Sequence, residues 1–298
     1  MSSGGGFPGA LTEAAHGKVN LGLAVLALRG DGFHEVETAM VRVGLADELT
    51  VLVEEAAADH VELDVELALE LPAVALAEGE ENLAHGAAAR YLRARREADG
   101  AAAPVRVALK LLKRVPVAAG LGGGSADAGA VLRVLARLLP AAVDVAGVAA
   151  KLGSDVPFML GTARAALAKG RGERLFELDV PRLHLVLVNP GFGVSAADAY
   201  ANLIGFTPRL RFERSLERLA AGEEPRWPNG LQPGVLRSHP ELRAVLAHLR
   251  DAGLKGVLMS GSGPTCFGVA QGAEHAAAIA AALRSAEPGW WVAATATL

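Results

Sequence analysis

The segment Pro116-Val-Ala-Ala-Gly-Leu-Gly-Gly-Gly-Ser-Ala-Asp127 places four glycines within five positions and leads into an apolar, alanine-rich stretch. Glycine lets the backbone turn its N–H groups inward and come close to a ligand. The first turn of a following helix adds unpaired N–H groups and the positive end of the helix dipole. We therefore predict a phosphate-binding loop at 120–125 and a helix over about 126–139. The alternative is a flexible turn that ends at an N-capping Ser125.

Two familiar phosphate motifs do not fit this loop. A Walker loop needs a lysine directly before the Ser or Thr that opens the helix, and Gly124 occupies that place. A dinucleotide fingerprint needs a third glycine where Ser125 stands, and it follows the first strand of its fold. A second short loop, Gly261-Ser-Gly263, could close over the same phosphates, although such loops are more often hairpin turns.

The pattern on either side of the glycine loop mixes strands and helices without strict alternation, which favours an α+β fold over a doubly wound sheet. Residues 1–14 are expected to form a loose tail. We place a domain boundary near residue 170, giving domains 1–170 and 171–298. Alternating or apolar runs predict strands within 15–55, 105–112, 183–188 and 256–269, and helical spacing predicts helices within 81–92, 145–152, 240–252 and 273–285.

Composition limits the possible functions. The chain has 298 residues, of which 51% are hydrophobic and 21% charged, so it can bury a substantial core. Its net charge of −4 gives no global reason to bind nucleic acid or an anionic membrane. A single cysteine, Cys266, excludes an internal disulfide and a cysteine-based zinc site. With no long apolar run and no signal-peptide pattern at the start, a cytoplasmic location is expected.

Four further segments, taken with the glycine loop, carry a family resemblance. In order they are Lys18-Val-Asn-Leu-Gly-Leu, Arg29-Gly-Asp-Gly-Phe-His34, Leu152-Gly-Ser-Asp155-Val-Pro-Phe and Met259-Ser-Gly-Ser-Gly-Pro-Thr265. The chain resembles the GHMP small-molecule kinases over about residues 14–283. The resemblance implies an N-terminal domain of the ribosomal protein S5 domain 2-like type and a ferredoxin-like C-terminal domain. ATP, with Mg²⁺, and a small-molecule substrate would meet between them.

The first two of these segments resemble the branch of the family that phosphorylates a CDP-linked alcohol. This resemblance implies that Asp155 is the general base for the acceptor hydroxyl and that Lys18 lies beside it, keeping the carboxylate ionised and offsetting charge on the phosphoryl group. On local sequence alone, an N-capping Asp155 and a solvent-facing Lys18 would be the default interpretations.

The same resemblance implies the residues that bind each substrate. Phe33 and His34 would grip the cytosine by stacking and hydrogen bonding, with Tyr200 on its other face, although core packing is the alternative for both Phe33 and Tyr200. Asn20, two residues beyond Lys18 on one strand face, could bond the diol or Asp155. The residues expected to bind ATP are Asn82, Lys113, Pro116, Val117, Ala118, Ala119, Gly120, Leu121, Gly122, Gly123, Gly124, Ser125 and Ala126.

Some features depart from the family pattern or stay open. His16 and Ala196 replace residues common in relatives, and the segment Asn229-Gly-Leu-Gln232 lacks the usual acid. Ser125 is a candidate contributor to Mg²⁺ binding, and no carboxylate ligand is evident. The charged stretch 209–226 is expected to be a solvated, linker-like face. A GHMP kinase acting on homoserine, a sugar or mevalonate, and a non-enzymatic member of the fold, are the alternative functions, and the chain is expected to be a monomer or weak homodimer.

Overall fold

A computed structural model describes residues 9–68, 71, 76–77 and 79–298. Within these ranges the chain forms strands and helices in an intermixed order, together with one 3-10 turn at Gly79–Glu81. The elements are β1 (Ala10–Leu28), β2 (His34–Glu55), β3 (His60–Leu67), α1 (Leu83–Ala98), β4 (Val105–Lys113), α2 (Gly123–Leu138), α3 (Val145–Leu152), α4 (Val156–Leu160), β5 (Ala165–Gly170), β6 (Arg174–Glu177), β7 (His184–Asn189), α5 (Ala196–Ala201), α6 (Phe212–Ala220), α7 (Gln232–Ser238), α8 (Leu242–Asp251), β8 (Lys255–Met259), β9 (Cys266–Ala270), α9 (Ala273–Ala286) and β10 (Trp291–Ala296).

The N-terminal half is a six-stranded sheet in the order β3-β4-β2-β5-β6, with β1 paired along β2. The long hairpin of β1 and β2 keeps an antiparallel register from the Ala10–Leu52 pair to the Leu28–His34 pair, with three irregularities. Helices α1 and α2 cover one face, where Tyr91 and Leu132 pack among strand residues such as Leu49. The sheet thereby fixes the end of β4, and with it the position at which the glycine loop begins.

The C-terminal half is a four-stranded antiparallel sheet in the order β10-β7-β9-β8. Successive residues of β7 face opposite sides, as a strand requires. Val186 packs with residues of α8 and α9, whereas Leu187 packs against residues of β1 and β2. The C-terminal sheet is therefore buried on both faces, between its own helices and the hairpin of the N-terminal half.

The predicted α+β architecture is confirmed, but two local predictions are wrong where the structure describes them, and a third is wrong in part. Of the predicted loose tail 1–14, residues 10–14 belong to β1, where they pair with 48–52, whereas residues 1–8 lie outside the described ranges. Helix α2 begins at Gly123 rather than near 126, because the loop glycines themselves adopt its first turn. The charged side chains of 209–226 are mostly exposed, as predicted, but the stretch is not linker-like, because it contains α6, whose Phe212 is buried against the second sheet.

The change from one sheet to the other falls between Glu177 and His184, because β6 still pairs with β5 in the N-terminal sheet. The division at residue 170 stays a prediction. Among the helices of the described ranges, none combines the length and apolar character that crossing a membrane needs.

Candidate active site

A cavity of about 580 Å³ opens between the two halves of the molecule. Its walls come from the glycine loop, the middle of β1, the start of α4, the turn after β5 and the start of α5. It is lined by most of the residues predicted from the sequence, namely Lys18, Asn20, Asn82, Lys113, Pro116, Val117, Ala118, Ala119, Gly120, Gly122, Gly123, Gly124, Ser125, Asp155 and Tyr200. Four predicted residues, Phe33, His34, Leu121 and Ala126, lie outside this lining.

The glycine loop forms the cradle that its composition predicts. Gly120 and Gly122 have φ angles of +74° and +67°, in the left-handed region that favours glycine. The first helical bond of α2 runs from the Ala126 N–H to the Gly122 carbonyl at 2.9 Å. The N–H groups of the first turn precede that bond and have no intrahelical acceptor, so they are free for an anion.

Close packing explains why side chains are excluded at two positions of the loop, Gly120 and Gly122. A Cβ on Gly120 would lie 2.1 Å from the Ser260 carbonyl oxygen, which belongs to the second glycine loop. A Cβ on Gly122 would lie 3.0 Å from Cε of Lys18. A Cβ on Gly123 would meet Lys113 and its neighbours beneath the loop, whereas one on Gly124 would meet only Leu83, at 3.5 Å. Gly124 therefore faces the cavity, whereas Gly120 and Gly122 pack the loop closely against Ser260 and Lys18.

The two predicted catalytic side chains meet although they come from distant segments. Nζ of Lys18 lies 3.4 Å from Oδ2 of Asp155 and donates to the Gly120 carbonyl at 3.1 Å. The Lys18 side chain is 4% exposed, and that of Asp155 is 33% exposed toward the cavity. Asp155 occupies the N-cap position of α4 but makes no capping bond with its side chain. Its carboxylate is thus left for Lys18 and for a ligand.

Asn20 orients the lysine. Its Oδ1 accepts from Nζ of Lys18 at 2.6 Å, and its Nδ2 donates to the Thr38 hydroxyl at 2.7 Å. That hydroxyl in turn donates to the Gly22 carbonyl at 2.8 Å. Thr38 was not predicted from the sequence as a partner of Asn20. The contact depends on the pairing of β2 with β1 across the hairpin, which the structure shows. The structure gives Asn20 an internal hydrogen-bonding role at the cavity wall, and its contact with the diol stays a prediction.

Lys113 lines the cavity and is also paired with two buried carboxylates, and its contact with ATP stays a prediction. Its Nζ donates to Oδ2 of Asp127 at 2.6 Å and to Asp47, while Asp47 Oδ1 accepts from the Val115 N–H at 2.7 Å. Burial lowers the pKa of Lys113, but the two carboxylates outweigh it and the net shift is upward. The cluster ties the start of α2 to the end of β4, directly beneath the phosphate cradle.

Asp127 has an unusual environment for a carboxylate. Burial is the main cause that raises its pKa to about 7, and the Asp47 charge adds to it while Lys113 opposes it. Among the described residues, Oδ1 of Asp127 finds no hydrogen-bond partner. Neither Asp47 nor Asp127 was predicted from sequence as part of a cluster, because the contacts join separate segments.

Asn82 acts locally as the N-cap of α1, where its Oδ1 accepts from the Ala84 N–H at 3.0 Å. Its position at the cavity wall is compatible with the predicted ATP contact.

The aromatic residues are arranged differently from the predicted sandwich. The rings of His34 and Tyr200 stack on each other, with centroids 4.9 Å apart. This spacing leaves no room for a base between them. Phe33 is 50% exposed, and the Arg171 guanidinium lies 4.7 Å from its ring centroid. Burial, together with the charge of Asp155, raises the pKa of Tyr200 to about 12.

The segment that lacks the usual acid has a clear structural task. Nδ2 of Asn229 donates to the carbonyls of Met259 and Gly261, both at 2.8 Å, and Gln232 accepts from the Met259 N–H at 2.9 Å. The side chains therefore hold the second glycine loop, and the Ser260 hydroxyl bonds the Gly120 carbonyl at 2.9 Å. The predicted approach of the two glycine loops is thus seen.

The other two departures differ in place, since Ala196 lines the cavity and His16 does not. The His16 ring is bonded to the Val43 carbonyl at 3.1 Å, and burial lowers its pKa. Ala196 begins α5, whose N-cap is supplied by the Ser195 hydroxyl.

Two family models match this chain. The model for the N-terminal domain of GHMP kinases matches residues 82–162, and the model for their C-terminal domain matches residues 210–289. The chain belongs to the GHMP kinases. This family uses ATP as a co-substrate, and the two matched ranges include the glycine loop, Asp155 and the second glycine loop.

Similar proteins narrow the comparison within the GHMP kinases. A protein of Deinococcus radiodurans named 4-diphosphocytidyl-2-C-methyl-D-erythritol kinase is 46% identical over 94% of this chain and 91% of its own length. A Thermus thermophilus protein of the same name is 44% identical over 94% of this chain and 95% of its own.

Solved structures give the same picture of the fold. A crystal structure of 4-(cytidine 5'-diphospho)-2C-methyl-D-erythritol kinase matches with a TM-score of 0.80 and 41% identity, over 97% of this chain and all of that one. Homoserine kinase from Cytophaga hutchinsonii matches with a TM-score of 0.62 over 100% of this chain and 96% of its own, but at 18% identity it shares the fold alone.

Proposed function

We propose that this GHMP kinase transfers the γ-phosphoryl group of ATP to the 2-hydroxyl of 4-diphosphocytidyl-2-C-methyl-D-erythritol, in the non-mevalonate route to isoprenoid precursors. The names of relatives that are 40–46% identical over most of the chain support the substrate. The observation that carries the chemistry is the Lys18–Asp155 couple, 3.4 Å apart, which faces the same cavity as the phosphate cradle.

Asp155 and Lys18 supply the proton transfer and part of the charge stabilisation. The acceptor hydroxyl gives its proton to the Asp155 carboxylate as its oxygen bonds to the γ-phosphorus, and the bond from that phosphorus to the bridging oxygen of ADP breaks. The Lys18 ammonium lies beside the carboxylate and offsets charge on the moving group. Asn20 and the Gly120 carbonyl hold Lys18 in the orientation that this requires.

The backbone around 120–125 binds the triphosphate through N–H groups of the loop and of the first turn of α2. Within the described residues, no group of three or more His, Cys, Asp or Glu side chains is placed to hold a metal ion. The oxygen donors at the cavity, the Ser125 hydroxyl and the Asp155 carboxylate, are of the kind that Mg²⁺ prefers. They fit an ion held mainly by the nucleotide's phosphates, and Mg²⁺ bound there would offset negative charge on the transferring group.

The acceptor end of the cavity complements a CDP-linked alcohol. Three cationic side chains line the cavity, and two of them, Lys18 and Lys113, are paired with carboxylates. The third, Arg171, has no carboxylate within salt-bridge distance among the described residues and is free to meet a diphosphate. Next to it, Phe33 and the His34–Tyr200 pair offer flat faces and a polar edge for the cytosine.

The decisive experiment compares acceptors at fixed MgATP. We expect turnover with the CDP-alcohol and none above background with homoserine or mevalonate, and ³¹P NMR of the product should show a new phosphomonoester on the 2-hydroxyl. Turnover with homoserine or mevalonate instead of the CDP-alcohol would assign the chain to a different GHMP activity, and no turnover with any acceptor would favour the non-enzymatic alternative. The cytoplasmic location and the monomeric or weakly dimeric state stay predictions.

A further inference from the structure

Arg42 stands on β2 directly opposite Lys18 on β1. Directly opposed residues of an antiparallel pair project to the same face of the sheet, so the two cations leave the hairpin side by side. Lys18 reaches Asp155, which immediately precedes α4. Arg42 reaches the other end of the same helix.

The contacts of Arg42 are concentrated on the last turn of α4 and the residues just after it. Its Nη2 donates to the carbonyls of Phe158 at 2.5 Å and Gly161 at 2.7 Å, and its Nε donates to the Ala163 carbonyl at 2.9 Å. The guanidinium carbon also lies 4.9 Å from the Phe158 ring centroid. A cation at a helix C-terminus satisfies orphan carbonyls and complements the helix dipole.

Arg42 makes these contacts from a buried position, since it is 6% exposed. Burial, with a smaller effect of Arg133, lowers its pKa to about 10, so the guanidinium keeps its charge at neutral pH. A buried charge is retained where several acceptors compensate it, and here the acceptors are backbone carbonyls of one short segment.

Helix α4 has five residues and could not hold its shape without tertiary contacts. Met159 connects its two ends. The Met159 carbonyl accepts from Arg42 at 3.2 Å, and the Met159 N–H donates to the Asp155 carbonyl at 3.1 Å. The position of Asp155 is therefore coupled to Arg42 through one peptide unit on each side of Met159.

We propose that Arg42 is a positioning residue for the phosphoryl transfer. It fixes α4 against the strand that faces β1, so that the Asp155 carboxylate arrives beside Lys18 and toward the acceptor hydroxyl. Arg133 of α2 also donates to the Met159 carbonyl and, at 3.2 Å, to the Leu160 carbonyl, but it belongs to a helix and not to the strand paired with Lys18. The inference rests on the proposed roles of Lys18 and Asp155.

The test uses Arg42→Met and Arg42→Lys in the full-length protein. A lysine keeps the charge but cannot span several carbonyls as the planar guanidinium does. We expect kcat to fall about 10- to 100-fold in the Met variant and less in the Lys variant, because small displacements of reacting groups have effects of that size. The KM values for ATP and for the CDP-alcohol should stay within about threefold, because the residues that bind them are elsewhere.

Arg95 provides the matched control. It is 9% exposed and donates to the Ala103 carbonyl at 2.8 Å, far from the cavity lining. Arg95→Met should lower the melting temperature while leaving kcat at 25 °C within about twofold of the wild type, as expected when only stability is affected.

A kcat of Arg42→Met within about twofold of the wild type, at a temperature where circular dichroism shows the variant folded, would overturn the proposal. The proposal would also be overturned if a rise in KM accounted for the whole loss of kcat/KM. If the Met variant does not fold, the Lys variant decides by the same criteria. The wild type is measured in the same assay, so that an absence of wild-type turnover would refute the proposed function and not the positioning role.

Discussion

The imidazole of His34 and the phenol ring of Tyr200 stack face to face, with their planes inclined by 20°. His34 begins β2 of the N-terminal half, and Tyr200 lies in α5 of the C-terminal half. One aromatic contact therefore joins the two halves beside the part of the cavity wall that Tyr200 lines. A cytosine that binds here must stack on the outer face of this pair or take the place of one ring.

The first prediction concerns this pair. His34→Ala and Tyr200→Ala should each raise KM for the CDP-alcohol about tenfold or more, since stacking on a base contributes about 1–3 kcal/mol. KM for ATP should change little, because the phosphate cradle is unaffected. Steady-state kinetics with each substrate varied in turn checks this. Equal losses for the two substrates would mean that the pair does not bind the cytosine.

Arg171 should matter for the same substrate through charge. Arg171→Met removes the unpaired cation at the cavity wall and should raise KM for the CDP-alcohol about tenfold, in line with a lost charge-assisted hydrogen bond. Arg174→Met is the matched control, because Arg174 is 58% exposed, pairs with Glu35 and does not line the cavity. Indistinguishable KM values for the two variants would rule out a diphosphate contact by Arg171.

Asp155→Asn should lower kcat by about 10²–10⁴ if the carboxylate accepts the proton. The amide keeps the size of the side chain, and because Asp155 makes no capping bond, helix α4 should be retained. Asp144→Asn makes a useful comparison, since Asp144 caps α3 through its side chain and lies outside the cavity lining. Near-normal turnover of Asp155→Asn would refute the role as base.

Two glycines of one loop should respond differently to valine. Gly124→Val directs its side chain into the cavity and should raise KM for ATP strongly, while the protein stays folded. Gly123→Val directs its side chain onto Val115 and Lys113 and should mainly lower stability. Gly100, which has open space around it and lies in a distant turn, supplies the valine control. Nucleotide binding by calorimetry and thermal melts separate the two effects, and unchanged ATP affinity in Gly124→Val would contradict the cradle.

Asp127 should leave a signature in stability against pH. Its pKa is raised in the folded state to about 7 from the ordinary value of 3.8, so the folded protein holds a proton that the unfolded chain loses. This contribution is complete below the unfolded pKa and disappears as the pH rises through about 7. Relative to Asp127→Asn, the free energy of unfolding of the wild type should therefore fall between about pH 3.8 and pH 7 and stay constant above that range.

Urea unfolding of both proteins at several pH values measures that difference. A difference between the wild type and Asp127→Asn that does not change with pH would show that the carboxylate stays ionised throughout.

The sequence predicted the site best where the chemistry is local. The glycine loop could be found because positive φ angles and close backbone approach require glycine, and Asp155 and Lys18 could be found because their segments resemble those of a known family. The start of α2 was misplaced because glycine has a low helix propensity, which the anchoring of the loop by its neighbours overrides here.

Residues whose role depends on a distant partner escaped prediction. Asp47 gave no signal beyond a place in a strand, yet it faces Lys113 across the sheet. Asn229 resembled an ordinary turn residue between Pro228 and Gly230, and its grip on the Met259 and Gly261 carbonyls appears only in three dimensions. The sequence placed Lys113 at the ATP site, but it did not reveal the two carboxylates beside it.

One apolar cluster unites Val19, Leu21 and Val41 of the first hairpin with Leu185, Phe267 and Trp291 of the second sheet. If the chain were cut between its two family domains, each fragment would expose an apolar surface that it could not cover alone. The two halves should consequently unfold together in one cooperative transition. Exchanging either half for that of a distantly related kinase should give a folded protein only if the residues of this shared apolar cluster are exchanged as well.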